Sequence, residues 1–428
     1  MPIPSPTSSQ LDGAYTLARE RYAEFGIDTD AAIDAAVAIP ISLHCWQTDD
    51  VAGLENAGKD IAGAGIMATG NFPGKARTGD EIRSDLTQVM ALLPGVQRVN
   101  LHASYAEFGD EQVERDEQRP EHFARWISWA KDLGIGLDFN TTFFAHPKAD
   151  DGYTLAHPDA EIRNFWIRHG IACRHIAQHI GGELGPCVLN HWIPDGCKDY
   201  PTDRWTARKN LVSSYDEMFD ERHGIDTDLC IDAVESKLFG LGSEEFVTGS
   251  AEFYSNYALS RDMVLCLDMG HFHPTETIHD KISAHLMFHK KLLIHTSRPV
   301  RWDSDHVVTF NDDVRNVFME ISRGQAWDKV IIALDFFDAS INRIGAYVVG
   351  TRATRKAILY SLLDPTDVLR SYERDGQNAQ RLGLMEDFKT MPFGAVWDML
   401  CERSNVPPAS AWIPEMESYQ TRELASRG

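Results

Sequence analysis

The chain has 428 residues, with 41 Lys and Arg against 64 Asp and Glu, a formal net charge of −23. Its hydrophobic residues (43%) and aromatics (10%) supply material for a large core, which excludes general disorder, while the acidic balance argues against phosphate neutralisation and so against a nucleic-acid binder. No apolar run approaches the ~18 residues of a membrane span, the opening MPIPSPTSSQ has no charged or apolar leader pattern, and seven scattered cysteines without CxxC spacing indicate a reducing, cytoplasmic setting.

In chain order, a leading helix is expected over 10–36. A short apolar run ending in polar or metal-capable residues then recurs eight times. The runs cover 38–46, 98–105, 136–144, 187–194, 230–239, 264–272, 292–299 and 330–340. Helical spacing fills the intervals at 80–92, 121–133, 159–180, 204–221 and 314–323. Continuous apolar runs mean strands buried on both faces, hence a parallel sheet. Eight strand–helix units without a Gly-rich phosphate loop fit an α/β fold of the (β/α)8 TIM barrel type. The expected division is a barrel over 1–345 and a helical C-terminal extension over 346–428, with helices at 351–363, 367–381 and 394–402. Between the first strand and first helix, Gly53, Gly58, Gly63, Gly65, Gly70 and Gly74 fall within 22 residues. That stretch, 47–79, reads as a lid over the active face.

Chemistry in such a barrel sits at the C-terminal strand ends. There the residues are His44, His102, Asp138 and Asn140, Asn190 and His191, Glu235 and Lys237, Asp268 and His271, His295 and Asp335. Glu235, Asp268, His295 and Asp335 come from the last four strands and point at one volume. Three carboxylates and an imidazole form a hard shell, better suited to six-coordinate Mn2+, Mg2+ or Co2+ than to tetrahedral zinc. His271, Asp303 and Asp305, with Asp268 bridging, make a second expected site, the two loop aspartates sharing one side of an extended segment. Lys237, two beyond Glu235, is expected on the same strand face, where its ammonium needs an anionic or carbonyl-oxygen partner. Trp46, Trp192 and Phe144 are candidate apolar walls, and His102 is the residue ending strand two toward the cavity. A metal-dependent phosphodiesterase would use a similar shell but needs a basic groove, and a non-catalytic metal or sugar binder is the other alternative.

The motifs HCWQTDDV, NLHASY, GLDFN, AVESKLFG, LCLDMGHFHPTE, SRPVRWDSDHVV and LDFFDASINRI together resemble the L-rhamnose isomerase family, in its enteric-bacterial branch, within the xylose-isomerase-like barrels. The similarity runs from about residue 12 to the C-terminus. It implies an aldose–ketose isomerase converting L-rhamnose to L-rhamnulose by a hydride shift between C2 and C1, assisted by two divalent cations. Manganese is implied at the catalytic position, with Zn2+, Co2+ or Mg2+ as further occupants of the structural one. By motif, Glu235, Asp268, His295 and Asp335 match the structural-metal ligands, and His271, Asp303 and Asp305 the catalytic-metal ligands. Lys237 matches the lysine that contacts O1, and in the hydride-shift mechanism so implied Asp303 is expected to orient the water that takes the O2 proton. His102 is the expected helper in ring opening. A homotetramer built partly through the helical tail is implied as well. Two departures stand out: the pattern SMHCWQGDDVSGFE reads SLHCWQTDDVAGLE here, placing Thr48 where the branch has Gly, and LDAGHFH reads LDMGHFH, placing Met269 among the ligands.

Overall fold

The computed structural model describes residues 6–55, 68–238, 244–273 and 275–427. Eight parallel strands close into a barrel: β1 (Ile41–His44), β2 (Gln97–His102), β3 (Gly136–Asn140), β4 (Cys187–His191), β5 (Cys230–Glu235), β6 (Val264–Asp268), β7 (Leu292–Thr296) and β8 (Val330–Leu334). Each neighbours the next in sequence, and Ser42 opposite Ala333 joins β1 to β8. All eight expected runs therefore form strands, each shorter than its apolar stretch. The ladder stops where the chain curls away, as in the 3-10 turns Cys45–Gln47 and Ala103–Tyr105.

Side chains alternate across the barrel wall. One parity faces the helices and joins the main core, with Leu43, Val99, Leu101, Leu137, Phe139, Leu189, Val234, Leu265, Leu267, Ile294 and Leu334. The other parity fills the barrel and splits it into two halves. Around β4–β8 the filling is small and apolar: Val188, Ala233, Val264, Cys266, Leu293 and Ala333. Around β1–β3 it is polar. Asp138 accepts from Ser42 Oγ at 2.6 Å, from Arg98 Nε and Nη2 at 2.9 Å each, and from the Val188 amide at 3.0 Å. Asp138 was expected among the strand-end site residues; it is instead the anchor of this lower polar plug.

The leading segment is two helices, Ser8–Ala23 and Thr29–Ala38, not one. Gly26 takes a left-handed φ of 75° and the Asp28 carboxylate caps the second helix through the amides of Asp30 and Ala31. These stop and start signals outweigh the continuous apolar spacing. The expected division at 345/346 lies inside one unbroken helix, Arg343–Leu362, which packs against the Asp312–Arg323 helix as the barrel's last outer helix. Its buried Arg355 donates to the carbonyls of Ala36, Ile39 and Val96, fastening the leading helix and the entry to β2. Beyond it lie Thr366–Arg374, Asn378–Phe388, Phe393–Arg403 and Trp412–Arg422. The helix expected over 367–381 is broken at Gly376, which has φ 69°. Among the described residues no helix is long and apolar enough to cross a membrane.

Removing the carboxylate of Asp138 leaves Arg98 facing the barrel interior without its partner. Asp138→Ala is expected to lower unfolding free energy by about 3 kcal/mol, read as a fall in urea midpoint at constant slope, and Asp138→Asn by less.

Candidate active site

Parity brings Glu235, Asp268, His295 and Asp335 to the mouth of the apolar half. One donor atom from each lies within 4.8 Å of all the others. His295 Nδ1 stands 3.1 Å from Glu235 Oε1, 3.7 Å from Asp268 Oδ2 and 3.6 Å from Asp335 Oδ2. The three carboxylates are oriented from outside the cluster. Asn190 of β4 donates to Glu235 Oε2, the Ser297 hydroxyl and the Gly270 amide donate to Asp268 Oδ1, and the indole of Trp46 donates to Asp335 Oδ1 at 3.1 Å. Asp268 Oδ2 is left without a hydrogen-bond partner among the described residues.

So many charges in one buried volume distort one another. Burial, reinforced by Glu235 and Asp335, pushes the Asp268 carboxyl up to about 7. Burial works against both imidazoles, yet Cys266 and Glu235 beside His295, and Asp303 and Asp268 beside His271, hold them protonated well above the usual range. Those same imidazoles overcome burial at Glu235 and hold it below the ordinary carboxylate range. Protons are thus standing in for positive charge. Three acid groups around an imidazole, two buried and Asp335 half-buried, one carrying an unpartnered oxygen, fit a hard divalent cation.

The second expected set is drawn together less tightly. His271 Nε2 lies 3.3 Å from Asp303 Oδ2 and its Nδ1 3.3 Å from Glu235 Oε1. A Cβ built on Gly270 would stand 3.0 Å from Asp303 Oδ1 and 3.1 Å from Asp268 Oδ1, so the absence of a side chain there is what lets the two aspartates approach. Asp303 Oδ1 also has no hydrogen-bond partner among the described residues. The Asp305 carboxyl is pushed well up by burial and by Asp303, Asp335 and Asp268. Its loop is not extended as expected: Asp305 has φ 44°, and the turn is fixed by Asp305 O accepting from the Phe337 amide.

Opposite the acids stands an aromatic arc. Ring centroids run Trp46 to His102 at 4.7 Å, His102 to Phe144 at 5.5 Å and Phe144 to Trp192 at 5.8 Å, each edge to face. Burial pushes the His102 imidazole down to about 4, so it is neutral near pH 7. Lys237 closes the arc, with Nζ 6.0 Å from the Trp192 ring centroid. It lies just past the end of β5 rather than on it, donating to Pro194 O at 2.8 Å and pairing with Glu244. Two further expected strand-end residues stand outside the donor cluster. His191 has the outward parity and pairs with Asp232 at 2.9 Å, which also binds Arg174 of an outer helix. His44 is buried among Trp46, Phe336 and Tyr347.

Residues 56–67 of the expected 47–79 lid lie outside the described residues. Its flanks are held by Arg343, which is 2% exposed, pairs with Asp50 at 2.7 Å and donates to Phe72 O at 2.8 Å. Thr48 is accommodated in ordinary helical backbone, its hydroxyl donating to Cys45 O at 2.8 Å. Among residues that sequence reasoning passed over, Ser297 and Gly270 orient Asp268. Gly270 could have been found from its place between Asp268 and His271; Ser297 carried no such signal.

The model of the family described as L-rhamnose isomerase (RhaA) matches residues 9–427. The chain belongs to the L-rhamnose isomerase family. The L-rhamnose isomerase of Mannheimia succiniciproducens is 52% identical over 420 residues, covering 98% of this chain and 100% of that one. That of Klebsiella pneumoniae is 50% identical over 422 residues, again 98% and 100%. A solved L-ribulose 3-epimerase is 12% identical with a TM-score of 0.47, covering 79% of this chain and 97% of its own. Membership of the L-rhamnose isomerase family makes the chain an isomerase, whose mouth joins an acid cluster to an aromatic wall.

A dication entering this L-rhamnose isomerase site must displace the protons held by Asp268, His295 and His271. Its affinity for metal-stripped protein is therefore expected to rise with pH through about 7, with proton release seen as buffer-dependent binding heat. An affinity unchanged between about pH 5 and 8 would contradict this account.

Proposed function

We propose that the protein interconverts L-rhamnose and L-rhamnulose by a hydride shift between C2 and C1, using two divalent cations with manganese at the catalytic position. The observation that carries this reading is the convergence of four donors from β5–β8, with an unpartnered Asp268 oxygen, against an aromatic wall. Family membership supports the substrate. Glu235, Asp268, His295 and Asp335 would hold one ion; His271, Asp303 and Asp305, sharing Asp268, would hold the other. Cations bound there would supply Lewis-acid polarisation of O1 and O2 and stabilise negative charge at O2.

The chain's own groups do the rest. Lys237, poised beside Trp192, donates to O1. Asp303 orients the water that removes the O2 proton, using its unpartnered Oδ1. His102, kept neutral by burial, moves the proton that opens the sugar ring. Trp46, Phe144 and Trp192 pack on the 6-deoxy methyl and the C–H face and exclude bulk water. Asp335 links both halves, because its carboxylate faces the acid cluster while accepting from Trp46. A cytoplasmic setting is part of the proposal, supported by seven cysteines that are all free thiols. So is a homotetramer, supported by the exposed apolar side chains of Trp205, Met287 and Phe288; light scattering in solution reads that mass directly.

L-Rhamnose deuterated at C2 is expected to give ketose that keeps the label at C1. Wash-out of deuterium into water would remove the hydride step and leave the isomerisation. Chelation is expected to abolish turnover and Mn2+ to restore it. Asp303→Asn should lower kcat by about 100-fold or more while KM changes little.

A further inference from the structure

The floor of the acid cluster carries a donor that isomerisation leaves unused. Cys266 is paired in register with Glu235 and stands two residues before Asp268, so it shares the inward parity of both. It is 1% exposed and packs among Val188, Ala233, Val264, Leu293 and Ala333. Its sulfur, a Glu235 oxygen and a His295 ring nitrogen all lie within 4.8 Å of one another. Sulfur and nitrogen ligands of a tetrahedral dication sit about 3.5 Å apart, so a small inward movement closes the set. Two polar atoms on 1%-exposed side chains, His295 Nε2 and Asp268 Oδ2, have no hydrogen-bond partner among the described residues.

We propose that Cys266, Glu235 and His295 form an alternative, thiol-containing site for strongly thiophilic dications such as Cd2+, with Asp268 as fourth donor. The inference rests on the reading that this cluster binds a dication. Because it takes Glu235 and His295 away from the oxygen-rich set, the two occupancies exclude each other. Hard ions such as Mn2+ and Mg2+ gain little from sulfur and keep the carboxylates. As the metal–sulfur bond forms, the thiol proton leaves to water and no electron is transferred. The site therefore sorts ions by softness: a thiophilic ion sinks to the floor and unmakes the hard-ion shell.

The test uses metal-stripped protein titrated with Cd2+ alone, following the ultraviolet thiolate-to-cadmium charge-transfer band. Wild type is expected to develop the band with about one ion per chain. Cys266→Ala and Cys266→Ser are expected to lose it and to bind Cd2+ about tenfold more weakly or worse, with Mn2+ affinity within about twofold of wild type. X-ray absorption at the cadmium edge of wild-type protein counts sulfur ligands without any variant. An undiminished band in both variants overturns the proposal. So does wild type that binds Mn2+ yet shows no sulfur around cadmium. Wild type that binds neither ion overturns the proposed metal-dependent function itself.

Discussion

Mutual repulsion among buried carboxylates organises this molecule. Glu235, Asp268 and Asp335 meet in a volume from which most water is excluded, with Asp303 and Asp305 close behind. Such a group cannot carry its full negative charge alone. In the protein by itself the compensation is protonic: His295 and His271 are held charged, and Asp268 resists ionisation. A fold that supports this arrangement has surrendered stability at one end of its barrel to acids that need compensating positive charge.

The rest of the architecture follows from keeping those acids together. Hydrogen bonds from Asn190, Ser297, Gly270 and Trp46 each occupy one carboxylate oxygen and leave others facing the shared volume. The barrel interior is divided to match. Small apolar side chains underlie the acids, whereas the Ser42–Arg98–Asp138 plug underlies the aromatic arc. Trp46 spans the boundary, since its ring meets His102 edge to face while its N–H holds Asp335. A substrate in the mouth would meet charge on one side and flat apolar surface on the other, as a sugar with a polar edge and a C–H face requires.

Much of the candidate site was legible because its donors come from successive strand ends, where barrel geometry brings distant sequence positions together. Glu235, Asp268, His295 and Asp335 needed only the count of strands and the rule about their C-terminal ends. Asp303 was legible as a metal-capable acid, but its approach to Asp268 depends on Gly270 having no Cβ. Lys237 was read as a strand residue facing an oxygen; its present oxygens belong to Pro194 and Glu244. Cys266 was counted only toward the redox setting, although its two-residue spacing from Asp268 placed it on the same face.

By itself, the amino-acid order determined the eight strands, the barrel class and the identity of the chemical donors, since these rest on apolar periodicity and residue type. It left undecided which of two adjacent polar residues faces inward. Asn190 enters the site and His191 does not, because a period of two has no sign until the strand is packed against helices. Only the tertiary structure decided that Asp138 plugs the lower barrel and that Asp305 turns left-handed. In each case the deciding partner or turn depends on packing that lies outside any local window of sequence.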